Sequence, residues 1–223
     1  MNRFLSSKWT KAAVFVLSLV PLGILLWLCW EAYSSSDPTE YVTANPIEYI
    51  THYTGDWTIR FICFTLCITP LRVLLNRPQI TRFRRMLGLF AFFYGCVHFG
   101  VWLLLDPRQN TIPAIWEDIV KRRYITMGML ALLAMLPLAI TSTAGWVRRL
   151  GFKRWKKIHR LIYLTAIAAV IHYWWLVKSD IRRPLMYAAI VTVLLAYRVI
   201  AWMRARNGKP AVDRKPQPTV SAS

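Results

Sequence analysis

The sequence predicts an all-α integral membrane protein: a six-helix transmembrane bundle with both termini cytoplasmic. Three observations predict it. The 223 residues are 56% hydrophobic, and the apolar residues form long runs broken by Gly, Pro and Trp, unlike the short amphipathic segments of a soluble domain. About 20 residues cross roughly 30 Å of hydrocarbon, so six crossings with short connections use nearly the whole length and leave no room for a soluble catalytic domain. The cations, finally, are distributed unevenly between alternate connections, as the positive-inside rule requires.

The elements follow in order. Residues 12–30 form the first apolar run, preceded by Arg3, Lys8 and Lys11. Its length, Pro21 and the lack of a small-x-small cleavage site make it an anchor rather than a removable signal. Residues 34–56 are polar and acidic and read as an outer loop containing His52. The second span lies within 57–75, with Arg60, Pro70 and Arg72 near its ends. The third is 86–105, the fourth 124–140, the fifth 161–177 and the sixth 185–203, the last with Arg198 near its far end. Residues 1–11 are expected to be a cytoplasmic N-terminus, 12–203 the transmembrane domain and 204–223 a disordered cytoplasmic tail.

With the N-terminus inside, twenty Lys and Arg residues fall in inner segments and seven in outer loops, with Arg60 and Arg198 inside spans. The formal charge of +19 is therefore mostly a topology signal. Its expected partners are anionic lipid headgroups of the membrane, and no nucleic acid is implied. Trp27, Trp30 and Tyr33 with Tyr173, Trp174 and Trp175 mark the outer interface, and Trp146, Trp155 and Trp202 the inner one. Cys29, Cys63, Cys67 and Cys96 all sit in apolar runs without a CxxCH pattern, so they are packing residues rather than a disulfide framework or a covalent heme attachment.

Ionisable and ligating side chains within a bilayer are costly, so each histidine there asks for a reason. His98 lies roughly 18 Å from the inner end of the third span, and His172 roughly 19 to 20 Å beyond His159 along the fifth. His98 and His172 therefore reach a similar depth in the outer half of the membrane from two helices. Two facing imidazoles in an apolar slot are what a low-spin b-type heme requires. Gly95 and Gly100 around His98, and Ala166, Ala168 and Ala169 before His172, would let a flat ring approach. The alternative is that each histidine hydrogen-bonds a neighbouring helix carbonyl. His159 sits at the inner edge, either as an axial ligand of a second heme or as an interfacial residue contacting headgroups or heme propionates. A spacing of 13 residues puts it about 220° around a regular helix from His172, off the same face. His52, in the outer loop, is expected at the surface.

The stretch Leu150-Gly151-Phe152-Lys153-Arg154-Trp155-Lys156-Lys157-Ile158-His159-Arg160-Leu161-Ile162-Tyr163, leading to His172, resembles the MsrQ/YedZ family. This family comprises heme-binding membrane subunits of the bacterial periplasmic protein-methionine-sulfoxide reductase system, within the ferric-reductase-like transmembrane group. Ile68-Thr69-Pro70-Leu71-Arg72, Arg84-Arg85-Met86-Leu87-Gly88, Tyr94 to His98, and the segment from Asp118 to Thr126 carry the same resemblance, which covers roughly residues 8 to 205. It implies a heme domain at 12–203 in the bacterial inner membrane, binding one or two heme b groups. It further implies electrons taken from the quinone pool or a reduced flavin and passed to a periplasmic molybdopterin-containing methionine-sulfoxide reductase subunit, which repairs oxidised proteins. FMN binding rests on the resemblance alone. The chain is thus expected to be an electron-transfer subunit rather than the substrate-reducing one. Arg108, Trp116 and Arg123 in the outer loops are candidate docking or propionate-binding residues. A ferric reductase and a cofactor-free membrane protein are the other readings.

Overall fold

The computed structural model describes residues 7–106, 108–177 and 179–207, and all of its described regular elements are helical. Arg3, Lys178 and the tail from residue 208, with Lys209, Arg214 and Lys215, lie outside the described residues. Among the described residues eight α-helices follow in order: α1 Lys8–Ser34, α2 Pro46–Leu74, α3 Thr81–Leu105, α4 Ile112–Lys121, α5 Arg123–Ile140, α6 Ala144–Ile158, α7 Leu161–Leu176 and α8 Arg182–Asn207.

Two differences from the sequence expectation bear on the site. The second span starts at Pro46, well before residue 57, so His52 is helical rather than in a loop. The local chemistry explains this. Asn45 caps the Glu48 N–H, its amide meets the Glu48 carboxylate at 3.1 Å, and Pro46 occupies the first turn, where its missing N–H costs nothing. Hydropathy does not register these polar start signals. Two further helices, α4 and α6, occupy segments expected to be loops. Thr111 and Thr143 cap their first turns, and α6 carries six of the basic residues counted at the inner face. α8 also continues to Asn207, past the expected boundary at 203.

Among the described residues five segments are long and apolar enough to cross a membrane: Lys8–Ser34, Pro46–Leu74, Pro78–Leu105, Arg123–Ile140 and Arg182–Asn207. The sixth apolar helix, α7, has 16 residues, about 24 Å at 1.5 Å per residue. Large apolar side chains such as Leu17, Leu133 and Val193 point outward, as they do when lipid is the solvent.

The helices pair before they bundle. α2 lies along α3 and α5 along α7, and these are the two most extensive helix contacts; α8 closes against α7 and α2, and α1 against α3. Phe61 of α2 stacks on Phe90 and Tyr94 of α3 at ring separations of 5.7 and 5.2 Å, and Ile62, Leu66, Met135, Ala166 and Val191 continue this core across the pairs. Tyr94 also fastens α1. Pro21 interrupts the α1 ladder, and the buried Tyr94 hydroxyl enters the gap, accepting from the Leu22 N–H at 3.1 Å and donating to the Ser18 carbonyl at 2.9 Å. Asp56, buried on α2, is held by Arg60 at 3.5 Å and Arg183 at 3.2 Å, so its charge is compensated.

Candidate functional site

Each helix pair presents one carbonyl-anchored histidine to the space between the pairs, oriented from within its own pair. His98 on α3 places Nδ1 2.9 Å from the carbonyl oxygen of Thr51 on α2, and His172 on α7 places Nδ1 2.6 Å from the carbonyl oxygen of Tyr124 on α5. A carbonyl only accepts, so both Nδ1 atoms carry the proton and donate, leaving each Nε2 with its lone pair. The Thr54 hydroxyl lies 3.4 Å from the same His98 nitrogen, and neither Nε2 has a hydrogen-bond partner among the described residues. Histidines that ligate metals are oriented in this way, through the second nitrogen and a backbone carbonyl.

The two rings face one another with centres 6.1 Å apart and planes at 83°. They line a cavity of about 550 Å³ bounded by α2, α3, α5 and α7, with Ile59, Ile62, Met129, Leu132 and Met135 among its apolar walls. Its polar lining includes Asn45, His52, Asp106 and Arg108. Asp106 ends α3 and pairs with Arg108 through two oxygens at 2.9 and 2.5 Å. The guanidinium hydrogen bond holds the Asp106 carboxyl below its usual range. Nearby, Asp118 binds Arg122 at 2.8 Å and Gln109 at 2.7 Å, tying α4 to the turn after α3.

Chemically, the arrangement offers two anchored imidazole nitrogens to one ion. Among the described residues no group of three His, Cys, Asp or Glu side chains converges on a point, so a bare ion would find at most two protein ligands and lack a full set. Two metal–imidazole bonds of about 2 Å, plus about 1 Å from each nitrogen to its ring centre, place the centres roughly 6 Å apart. The pair therefore matches an ion whose remaining ligands arrive with it in a flat, apolar macrocycle.

The structure brings together two of the three histidines singled out in the sequence. His159 does not join them. It occupies the turn between α6 and α7, so it does not lie on the helix of His172, and the 13-residue phase argument does not apply. Its ring packs 4.1 Å from that of Trp155, and Nε2 lies 3.1 Å from the Thr141 hydroxyl. That hydroxyl donates to the Pro137 carbonyl at 2.6 Å and so accepts from His159 Nε2–H. His52 lies on α2 and lines the cavity, with its side chain 45% exposed and Glu48 3.7 Å away. Arg108 also lines the cavity, whereas Trp116 is exposed on α4 and Arg123 is exposed at the start of α5.

Sequence reasoning missed Thr51, Gly55, Tyr124 and Gly128, all on the partner helices. It singled out Gly95 and Gly100 beside His98, yet a Cβ on Gly95 would meet Met135, Leu132 and Thr58, and one on Gly100 meets nothing within 4 Å. Among the described glycines, those against the rings are Gly55, facing His98, and Gly128, facing His172. Only the pairing of helices reveals them.

Residues 54–170 match the family described as ferric reductase like transmembrane component, a span that includes His98 and His159 and stops two residues short of His172. The chain is 46% identical over 209 residues to the protein-methionine-sulfoxide reductase heme-binding subunit MsrQ of Xanthomonas oryzae pv. oryzae, covering 94% of each chain. It is 47% identical over 197 residues to the MsrQ subunit of Xanthomonas euvesicatoria pv. vesicatoria and 46% identical over 201 residues to that of Herminiimonas arsenicoxydans, covering 88% of each chain in both cases. Such similarity, sustained along nearly the whole length, accords with the apolar helices and the inward-facing histidines: the chain is a multi-pass membrane protein and belongs to the MsrQ family of ferric-reductase-like transmembrane heme-binding subunits.

Proposed function

We propose that His98 and His172 are the axial ligands of a b-type heme in the outer half of a six-helix membrane domain, through which the chain passes electrons to a methionine-sulfoxide reductase. The observation that carries this reading is the pair of carbonyl-anchored imidazoles 6.1 Å apart on one apolar cavity. The relatives, heme-binding subunits of protein-methionine-sulfoxide reductase, supply the physiological context. When bound, the heme supplies one-electron redox chemistry at the iron. The chain's own residues hold and orient the ligand nitrogens, line the slot with apolar side chains and keep polar groups at its edge.

In this reading α7 is the sixth crossing. Both termini are cytoplasmic, with the cation-rich segment at Arg84 and Arg85 and the basic helix α6 on the inner face of the bacterial inner membrane. The donor is the quinone pool or a reduced flavin at that face, FMN being the flavin the resemblance suggests. The acceptor is a molybdopterin-containing subunit in the periplasm, next to the outer heme. His159, at the inner end, is either the ligand of a second heme, which requires its Nε2 to leave Thr141, or a polar residue on the donor side.

The test is the heme-to-protein ratio, by pyridine hemochrome, of wild type and of the His98→Ala, His172→Ala and His159→Ala variants. Loss of the heme in the first two is expected, and full heme content in both would overturn the ligand assignment. For His159→Ala, loss of about half the heme identifies a second site; unchanged content with slower reduction identifies a donor-side role.

A further inference from the structure

The two histidine anchors share a pattern. His98 Nδ1 donates to the carbonyl of Thr51, four residues before Gly55; His172 Nδ1 donates to the carbonyl of Tyr124, four residues before Gly128. In an α-helix the carbonyl of residue i points along the axis toward residue i+4, where it accepts the ladder hydrogen bond. A side chain at i+4 shields that oxygen from a donor arriving from the side. Glycine leaves it open, so the oxygen can accept from its own helix and from an imidazole on the neighbouring one.

The distances show how little room there is. A Cβ on Gly128 would lie 2.8 Å from His172 Nδ1 and 3.0 Å from Cε1, and a Cβ on Gly55 would lie 3.0 Å from His98 Cε1 and 3.2 Å from Nδ1. The atoms in the way are the hydrogen-bonded edges of the two rings. They are unlike the flexible Met135 methyl that a Cβ on Gly95 would meet, also at 3.0 Å. Both glycines sit inside helices without positive φ, so backbone conformation does not call for glycine there. Alanine is the better helix former at such positions.

We infer that Gly55 and Gly128 are positioning residues for the two imidazoles: by leaving the Thr51 and Tyr124 carbonyls open, they fix where each ring lies and which nitrogen it turns to the cavity. The inference rests on the reading of His98 and His172 as heme ligands. A ring displaced by a methyl group at position 128 loses its short hydrogen bond to Tyr124 and backs away from, or rotates against, its bond to the iron. The lost Nδ1–H donation makes the imidazole less basic and the ferric state less favoured, so the midpoint potential rises.

The experiment compares the full-length wild type with Gly55→Ala, Gly128→Ala and Gly100→Ala, each purified with its heme. The readouts are heme content, ferric EPR and absorption spectra, and midpoint potential. Gly100→Ala is the control because it makes the same change on the His98 helix in open space. The expected result is wild-type behaviour for Gly100→Ala. Gly128→Ala should lose part of its low-spin signal to a high-spin species and shift to a higher potential, with Gly55→Ala changing in the same direction by less. The inference is overturned if Gly128→Ala shows the wild-type spectrum and potential at full heme content, or if Gly100→Ala changes as much. It is also overturned if both anchor variants fail to fold while Gly100→Ala folds, since the glycines would then be general packing residues. Heme absent from the wild type itself would overturn the underlying ligand reading, a result distinct from any of these.

Discussion

Arg198 of α8 donates from Nη2 to the Leu66 carbonyl of α2 at 2.5 Å, and the reason lies four residues further along α2. Pro70 has no N–H, so the helix cannot supply the usual donor to Leu66. The guanidinium takes that place, reaching Thr69 at 3.3 Å and its own helix at the Leu194 carbonyl at 2.9 Å. A charge inside an apolar helix thus serves to satisfy backbone polarity that lipid cannot.

Replacing Arg198 with Met should destabilise the folded protein by about 1.5 to 3 kcal/mol, the range for a buried hydrogen bond to a charged group. Adding Pro70→Ala should recover part of that loss, because the substitution restores a backbone N–H directed at the Leu66 carbonyl. Thermal denaturation in detergent of wild type, both single variants and the double variant completes the cycle. Strictly additive effects would show that the two residues are not coupled through Leu66.

Tyr94→Phe removes one hydroxyl and strands two backbone groups, the Ser18 carbonyl and the Leu22 N–H. A loss of about 1 to 3 kcal/mol is expected. Heme content should stay at the wild-type level, since Tyr94 does not line the cavity. Denaturation and hemochrome assays on one preparation check both halves.

His52→Ala should retain the heme that His98→Ala and His172→Ala lose. His52 lines the same cavity, but its side chain is 45% exposed and its contact is with Glu48, and among the described residues no carbonyl anchors its ring. Heme loss from His52→Ala equal to that of the other two would remove the distinction between anchored and unanchored histidines.

The Asp106–Arg108 pair predicts a pH dependence. Its hydrogen bond to Arg108 depresses the folded-state pKa of Asp106, so the contribution is fully present above the ordinary carboxylate range, about 3.9. It is lost as pH falls through the depressed value. The melting temperature of wild type should therefore exceed that of Asp106→Asn at neutral pH, with the gap closing in acid. A gap that does not change with pH would exclude the ionised carboxylate as its source.

The sequence by itself determined the membrane class, the apolar helices to within a turn or two at most ends, and the histidines worth attention, because hydropathy and the cost of polar groups in lipid are local properties of the chain. It also held the start of α2 in Asn45-Pro46-Ile47-Glu48, a polar signal that apolar patterning overlooks. Tertiary structure alone decided the rest. It set His98 and His172 6.1 Å apart, turned His159 to Thr141, and chose Thr51 and Tyr124 as anchors and Gly55 and Gly128 as the surfaces beneath the rings. The two anchors stand 47 and 48 residues from their histidines, and helical periodicity carries no information about which neighbouring helix will offer an open carbonyl. That choice follows from how α2 packs on α3 and α5 on α7, where a missing Cβ decides whether an imidazole can come close enough to bind.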